Sequence, residues 1–186
     1  QNEFINILNV EPKLYDRTFI VNGVSKAFSM TGWRIGYGAG NENLIESIAK
    51  IQSQSTTNPT SISQMAAKKA LETNKDFLID WLSKFEKRKE YLLKFFNSVN
   101  GLDAFSPQGA FYLYVSCRGF IDKADKENFV IKNDIDFCDY LLTHAKVAVV
   151  PGIAFGKSPY FRLSYATAFD QLKLACEKIE KTLKNF

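Results

Sequence analysis

The sequence predicts an α/β protein of two lobes joined by one long helix. Three observations carry that reading. Short runs rich in β-branched and aromatic residues, closed by Asn-Gly or Pro-Gly, alternate with segments whose apolar residues recur at helical spacing. One of those segments, residues 76–100, would extend about 37 Å as a helix, long enough to join two lobes. The composition is that of a folded protein: 46% of 186 residues are hydrophobic and 24% charged, which supplies a core and excludes a disordered chain.

Residues 17–23 (RTFIVNG) read as a buried strand ended by Asn-Gly. A loop rich in Ser, Gly and Thr (24–33) leads to a second strand at 34–40 (RIGYGAG). Asn41 then suits a helix N-cap, with Leu44, Ile45, Ile48 and Ile51 at helical spacing behind it. A polar loop is expected at 53–58, and Pro59 suits the first turn of a helix over 59–73. In the long segment, Phe77, Leu78, Trp81, Leu82, Phe85, Leu92, Phe95 and Phe96 form one apolar stripe, and Gly101 ends it. A compact α/β module follows, with a strand at 110–117, a helix at 133–146 and a short strand at 147–150 stopped by Pro151-Gly152. A strand at 160–165 and a closing helix at 169–185 complete it. The domain boundary falls within the long helix, around 76–90, and divides the chain into 1–78 and 79–186.

Composition excludes several functions. The longest apolar runs, such as 147–151, are far too short to span a membrane. Net charge is +4, from 24 basic and 20 acidic residues, and the Lys and Arg are scattered as solvated faces, so no nucleic-acid partner is expected. Cys117, Cys138 and Cys176 are odd in number, widely spaced and without a CxxC pair, which argues against a disulfide framework. They read as buried thiols in a reducing compartment, hence a cytoplasmic protein. His144 is the only histidine, which argues against a zinc site and against Ser-His-Asp or Cys-His catalysis; no metal is expected. The chain begins with Gln1 and carries no signal-like segment, so it reads as a processed chain or a piece of a larger one.

Three motifs are candidates for chemistry. Residues 152–158 (GIAFGKS) look like a phosphate loop but have one residue too few between the glycines, and a strand follows instead of a helix, so they read as a turn. Lys26 directly follows a buried-type strand, and Arg34 opens the next one. A lysine at a strand end, partly desolvated, is a nucleophile for Schiff-base chemistry, and the arginine fork suits a phosphate. Ser25, Ser29 and Thr31 add hydroxyls. Strand alternation sets Phe161 and Leu163 on one face and Arg162 and Ser164 on the other. From the residues alone Arg162 reads as an edge-strand arginine paired with a surface carboxylate, with bidentate capture of a substrate carboxylate as the alternative.

Taken together, FIVNGVSKAFSMTGWRIGYGAG (19–40), QSQSTTNPTSISQ (52–64), PQGAFYLYV (107–115) and VAVVPGIAFG with YFRLSYAT (147–167) resemble the C-terminal half of class I, fold-type I aminotransferases dependent on pyridoxal phosphate. The likeness is greatest to the bacterial aspartate aminotransferases. The resemblance implies that 1–78 is the C-terminal portion of a large cofactor-binding domain with a mixed sheet, and that 79–186 is the connecting helix and a small α/β domain. It implies pyridoxal 5'-phosphate as cofactor, joined to Lys26 as a Schiff base, with Arg34 and then Ser25 on its phosphate. It implies Arg162 on the substrate α-carboxylate and Asn58 near the active site of a homodimer partner. The activity implied is transfer of the amino group of aspartate to 2-oxoglutarate. Ser53 stands where one subgroup has an arginine for the distal carboxylate, which leaves the preference between dicarboxylate, prephenate and aromatic substrates open. The aspartate, tyrosine, aromatic residue and asparagine that the family places around the cofactor ring precede the lysine block by more residues than this chain has. The expectation is therefore a fragment that binds cofactor poorly and does not transaminate alone. Two alternatives share the lysine block: a lyase or decarboxylase of the same fold type, and a non-enzymatic regulatory domain built on it.

Overall fold

A computed structural model of the chain describes residues 4–186. They form two compact units, one ending at Leu78 and one running from Ile79 to Phe186.

In the first unit, α1 (Ile7–Val10) starts from Asn6, whose side chain accepts from the N–H groups of Leu8 and Asn9. A 3-10 helix (Pro12–Arg17) leads to β1 (Ile20–Gly23). The strand expected from residue 17 begins later because Thr18 ends that helix, turning its hydroxyl back onto Leu14 O at 2.7 Å. β2 (Gly36–Ala39) pairs antiparallel with β1, Ile20 opposite Ala39 and Gly23 opposite Gly36. It begins two residues later than expected, since Arg34 has a left-handed backbone, φ 51°, which interrupts an extended run. Asn41 caps α2 (Glu42–Gln54) through the N–H of Asn43 at 3.0 Å. The helix takes in the first residues of the expected polar loop; Ser53 Oγ donates to Lys50 O at 2.7 Å. α3 (Ser61–Glu72) is capped by Thr60, so Pro59 precedes the helix rather than occupying its first turn.

The second unit holds nearly all of α4 (Phe77–Ser98), then β3 (Asp103–Ala104), β4 (Tyr112–Ser116), α5 (Asp134–Tyr140), β5 (Val150–Pro151), β6 (Tyr160–Ser164) and α6 (Phe169–Leu183). Gly101, at φ 92°, supplies the positive-φ residue that turns the chain after α4. The sheet order is β3-β4-β6-β5, with every pairing antiparallel. The helix expected over 133–146 changes winding: α5, capped by Asn133, passes into a π turn (Leu141–Ala145) that ends with Lys146 at φ 55°. The short strand comes later than 147–150 because only Val150 and Pro151 find partners, Arg162 and Phe161.

The core belongs to this unit. Leu113 and Val115 of β4 and Phe161 and Leu163 of β6 alternate inward, and Leu172, Cys176, Ile179 and Leu183 of α6, at helical spacing, belong to the same core cluster. Phe161 stacks on Phe137 at 5.3 Å and meets Phe96 edge-on at 5.7 Å. Leu92 and Phe96 are the fully buried members of the α4 stripe, whereas Leu82 is exposed. All three cysteines are free and buried, and desolvation pushes the thiols of Cys117, Cys138 and Cys176 each up to about 12. Among the described residues no helix is long and apolar enough to cross a membrane, and no group of His, Cys, Asp and Glu could hold a metal ion.

Candidate active site

Lys26, Ser25 and Arg34 share the connection between β1 and β2. Gly23 and Gly36 are register partners, so the sheet brings the two ends of that connection together. Val24, wholly buried, anchors its start. A turn follows, in which Phe28 N–H donates to Val24 O at 3.3 Å and Ser29 N–H to Lys26 O at 3.2 Å, with Ser29 at φ 52°. Lys26 stands exposed on this turn, and Ser25 is half-buried beside it. At the far end, a 3-10 turn (Thr31–Trp33) precedes Arg34, whose Nη1 donates to Thr31 O at 3.1 Å. Residues 24–35 contain a lysine, an arginine and three hydroxyls but no Asp or Glu. Such a donor set fits an anionic group that also carries a carbonyl: the amine can condense with the carbonyl while the guanidinium and hydroxyls bind the anion.

Asn58 is exposed and lines the same open hollow, of about 580 Å³, as Ile35 and Gly36, the two residues that follow Arg34. Tyr37, Gln64, Lys68 and Glu72 line it too. Thr57 before it, at φ 62°, donates its N–H to Gln52 O at 2.8 Å, which turns the chain off α2.

Arg162 belongs to the second unit. β6 lies between β4 and β5, so the expectation of an edge-strand arginine does not hold. Nor is it paired as expected: among the described residues, the five ion pairs involve other side chains. Instead its guanidinium carbon lies 4.3 Å from the Tyr112 ring centroid and 4.1 Å from that of Phe155. Tyr112 is its diagonal neighbour on β4, two residues from its register partner Tyr114. Ring contacts hold the cation without consuming its N–H donors, which remain for a carboxylate. Sequence reasoning missed Tyr112 and Phe155. The available signal was an aromatic just before the Gly156 turn, in a segment read only as a turn.

A family model described as "Aminotransferase class I and II" matches residues 1–179. A probable aspartate/prephenate aminotransferase of Rickettsia conorii is 49% identical over 181 residues, 97% of this chain and 45% of that protein. An aspartate aminotransferase of Rhizobium meliloti is 49% identical over 176 residues, 95% of this chain and 43% of that protein. The crystal structure of the aspartate aminotransferase from Rhizobium meliloti superposes with a TM-score of 0.94 at 47% identity, covering 98% of this chain and 46% of that one. That from Thermotoga maritima gives 0.82 at 37% identity, covering 99% and 44%. The chain thus spans about 45% of the length of the curated relatives it matches.

Proposed function

This chain is a member of the class I and II aminotransferase family, and we propose that it supplies the catalytic lysine and the two anion-binding arginines of an aspartate aminotransferase. The carrying observation is that Lys26 and Arg34 sit on one acid-free connection between paired strands. The enzyme moves the amino group of aspartate to 2-oxoglutarate. Pyridoxal 5'-phosphate, when bound, supplies an aldehyde that condenses with amines and a ring that delocalises negative charge from the substrate Cα. Lys26 would hold that group through its Nζ, and its free amine would take the proton from the substrate Cα. Arg34, with its permanent charge, and Ser25 bind the phosphate. Arg162 orients the substrate by charge-assisted hydrogen bonds to its α-carboxylate. Asn58 contributes near the active site of a second copy, in a homodimer. Three buried free thiols support a reducing compartment, the cytoplasm.

The same reading holds that these 186 residues alone bind cofactor poorly and do not transaminate. The 45% share of the relatives supports this, as does the first unit, which leaves Val21, Ile51 and Ile62 more than two-thirds exposed. The test is made in the full-length protein. Borohydride treatment after pyridoxal phosphate is expected to label Lys26, located by peptide mapping, and Lys26→Ala to lower aspartate turnover by about 10²–10⁴-fold or more. Label at another lysine, or full turnover in the variant, would overturn the assignment. Oxaloacetate formed only when 2-oxoglutarate is present separates transamination from a lyase or decarboxylase. Aspartate turnover by the 186-residue chain would refute its expected inactivity.

A further inference from the structure

Antiparallel strands can be joined by two residues, yet β5 and β6 are joined by residues 152–159. The extra chain folds into a closed turn, and two side chains close it. Asp134, the first residue of α5 and 1% exposed, accepts from Ile153 N–H at 2.7 Å through Oδ2 and from the Ser158 hydroxyl at 2.5 Å through Oδ1. Tyr114 of β4 shares its hydroxyl proton between Gly152 O at 2.9 Å and Lys157 O at 3.1 Å. Burial pushes that hydroxyl above the usual phenol range and the Asp134 charge adds to the effect, so it remains a donor. Gly152 is required here, since a Cβ would come within 2.2 Å of Lys157 O and 2.7 Å of the Tyr114 oxygen. Within the turn, Gly156 N–H donates to Ile153 O at 3.0 Å and Lys157 N–H to Gly152 O at 3.2 Å.

Phe155 stands inside this closure, its ring 4.1 Å from the Arg162 guanidinium carbon and 6.4 Å from the Tyr114 ring. It is 48% exposed, so burial alone does not hold it there; the turn does. A buried carboxylate is costly unless its hydrogen bonds are made, and both of these bonds go to the segment that carries Phe155.

We propose that Asp134 is a positioning residue for Arg162: by closing the 152–158 turn it holds Phe155 against the guanidinium and so sets the geometry in which Arg162 meets a carboxylate. The proposal rests on the assignment of Arg162 to the substrate carboxylate. Its consequence is that affinity for the carboxylate depends on a group that never touches the substrate.

The test has two arms. In the isotopically labelled 186-residue chain, the rings displace the Arg162 Hε resonance. Phe155→Leu, Asp134→Asn and Ser158→Ala are each expected to remove part of that displacement, with the amides of β4 unmoved. In the full-length enzyme, Asp134→Asn and Phe155→Leu are expected to raise KM for aspartate by about tenfold with kcat within about twofold, the pattern of lost uniform binding. An Arg162 Hε resonance that moves in Phe155→Leu but stays in place in folded Asp134→Asn and Ser158→Ala overturns the proposal. Should Asp134→Asn fail to fold, Ser158→Ala decides, since it removes a single hydrogen bond from an exposed residue. If Arg162→Lys leaves KM unchanged while Hε responds to the turn variants, the substrate-carboxylate assignment falls and the closure stands. If Arg162→Lys raises KM while Hε ignores the turn variants, the closure falls and the assignment stands.

Discussion

The two units of this chain dispose of their apolar residues in opposite ways. From Ile79 onward, 22 buried side chains form one continuous core, with Phe161 in ring contact with both Phe96 and Phe137. Up to Leu78, the buried apolar residues among those described are Val24 and Ala67, while Val21, Ile51, Ile62 and Met65 are 65–75% exposed. The local signals were equally good in both. α2 has its stripe and its Asn41 cap, just as α6 has its stripe and α5 its Asn133 cap. The difference is in energetics. Each cap contributes about 1 kcal/mol wherever it sits, but a stripe contributes about 25 cal/mol per Å² only once something covers it. Periodicity therefore predicts an element without predicting what stabilises it.

The sharpest way to break this contrast is to truncate one apolar side chain in each unit. Phe161→Ala is expected to cost the second unit about 3–5 kcal/mol in denaturant unfolding. Ile62→Ala in the first unit is expected to stay within about 0.5 kcal/mol. Similar costs would mean that the first unit holds a core after all. A smaller effect is expected from Gly152→Ala, about 1–3 kcal/mol from the forced shift of the turn, again confined to the second unit. Stability retained at wild-type level would show that the turn yields freely. The smallest effect concerns acid. Burial pushes the Asp125 carboxyl up, but hydrogen bonds from Phe129 N–H at 2.8 Å, the Tyr140 hydroxyl at 2.8 Å and Glu127 N–H at 2.9 Å outweigh it and hold the group below its ordinary value. That stabilisation is complete above the unfolded value of about 3.9 and is lost as pH falls through the lowered folded one. The unfolding midpoint of the second unit should thus decline below about pH 4, and less steeply in Asp125→Asn. Parallel pH profiles for the two proteins would remove Asp125 from the account.

Much of this architecture was legible. Asn41 and Asn133 mark helix starts, Gly101 follows the end of α4, and the Phe161/Leu163 alternation places Arg162 on the outward face of its strand. Lys26 and Arg34 were legible as a pair because they flank one loop between two β-rich runs. Boundaries failed where a side chain or a backbone angle intervened: Thr18 delays β1, the left-handed Arg34 delays β2, and Thr60 displaces Pro59 from the start of α3. The surroundings of Arg162 were not legible. Nothing near Tyr112, Asp134 or Phe155 in the chain refers to residue 162.

Local sequence was enough to set the candidate residues, the identity and order of the elements, and the loop that joins Lys26 to Arg34. Periodicity, capping and turn chemistry act over a few neighbouring residues, so they can be read without knowing the fold. Tertiary structure alone decided that β6 lies between β4 and β5, that two rings meet the Arg162 guanidinium, and that a buried carboxylate closes the turn beside it. Strand order and register arise from pairing between distant segments, and neither segment encodes its partner alone. Lys26 was visible in one dimension, whereas the company kept by Arg162 exists only in three.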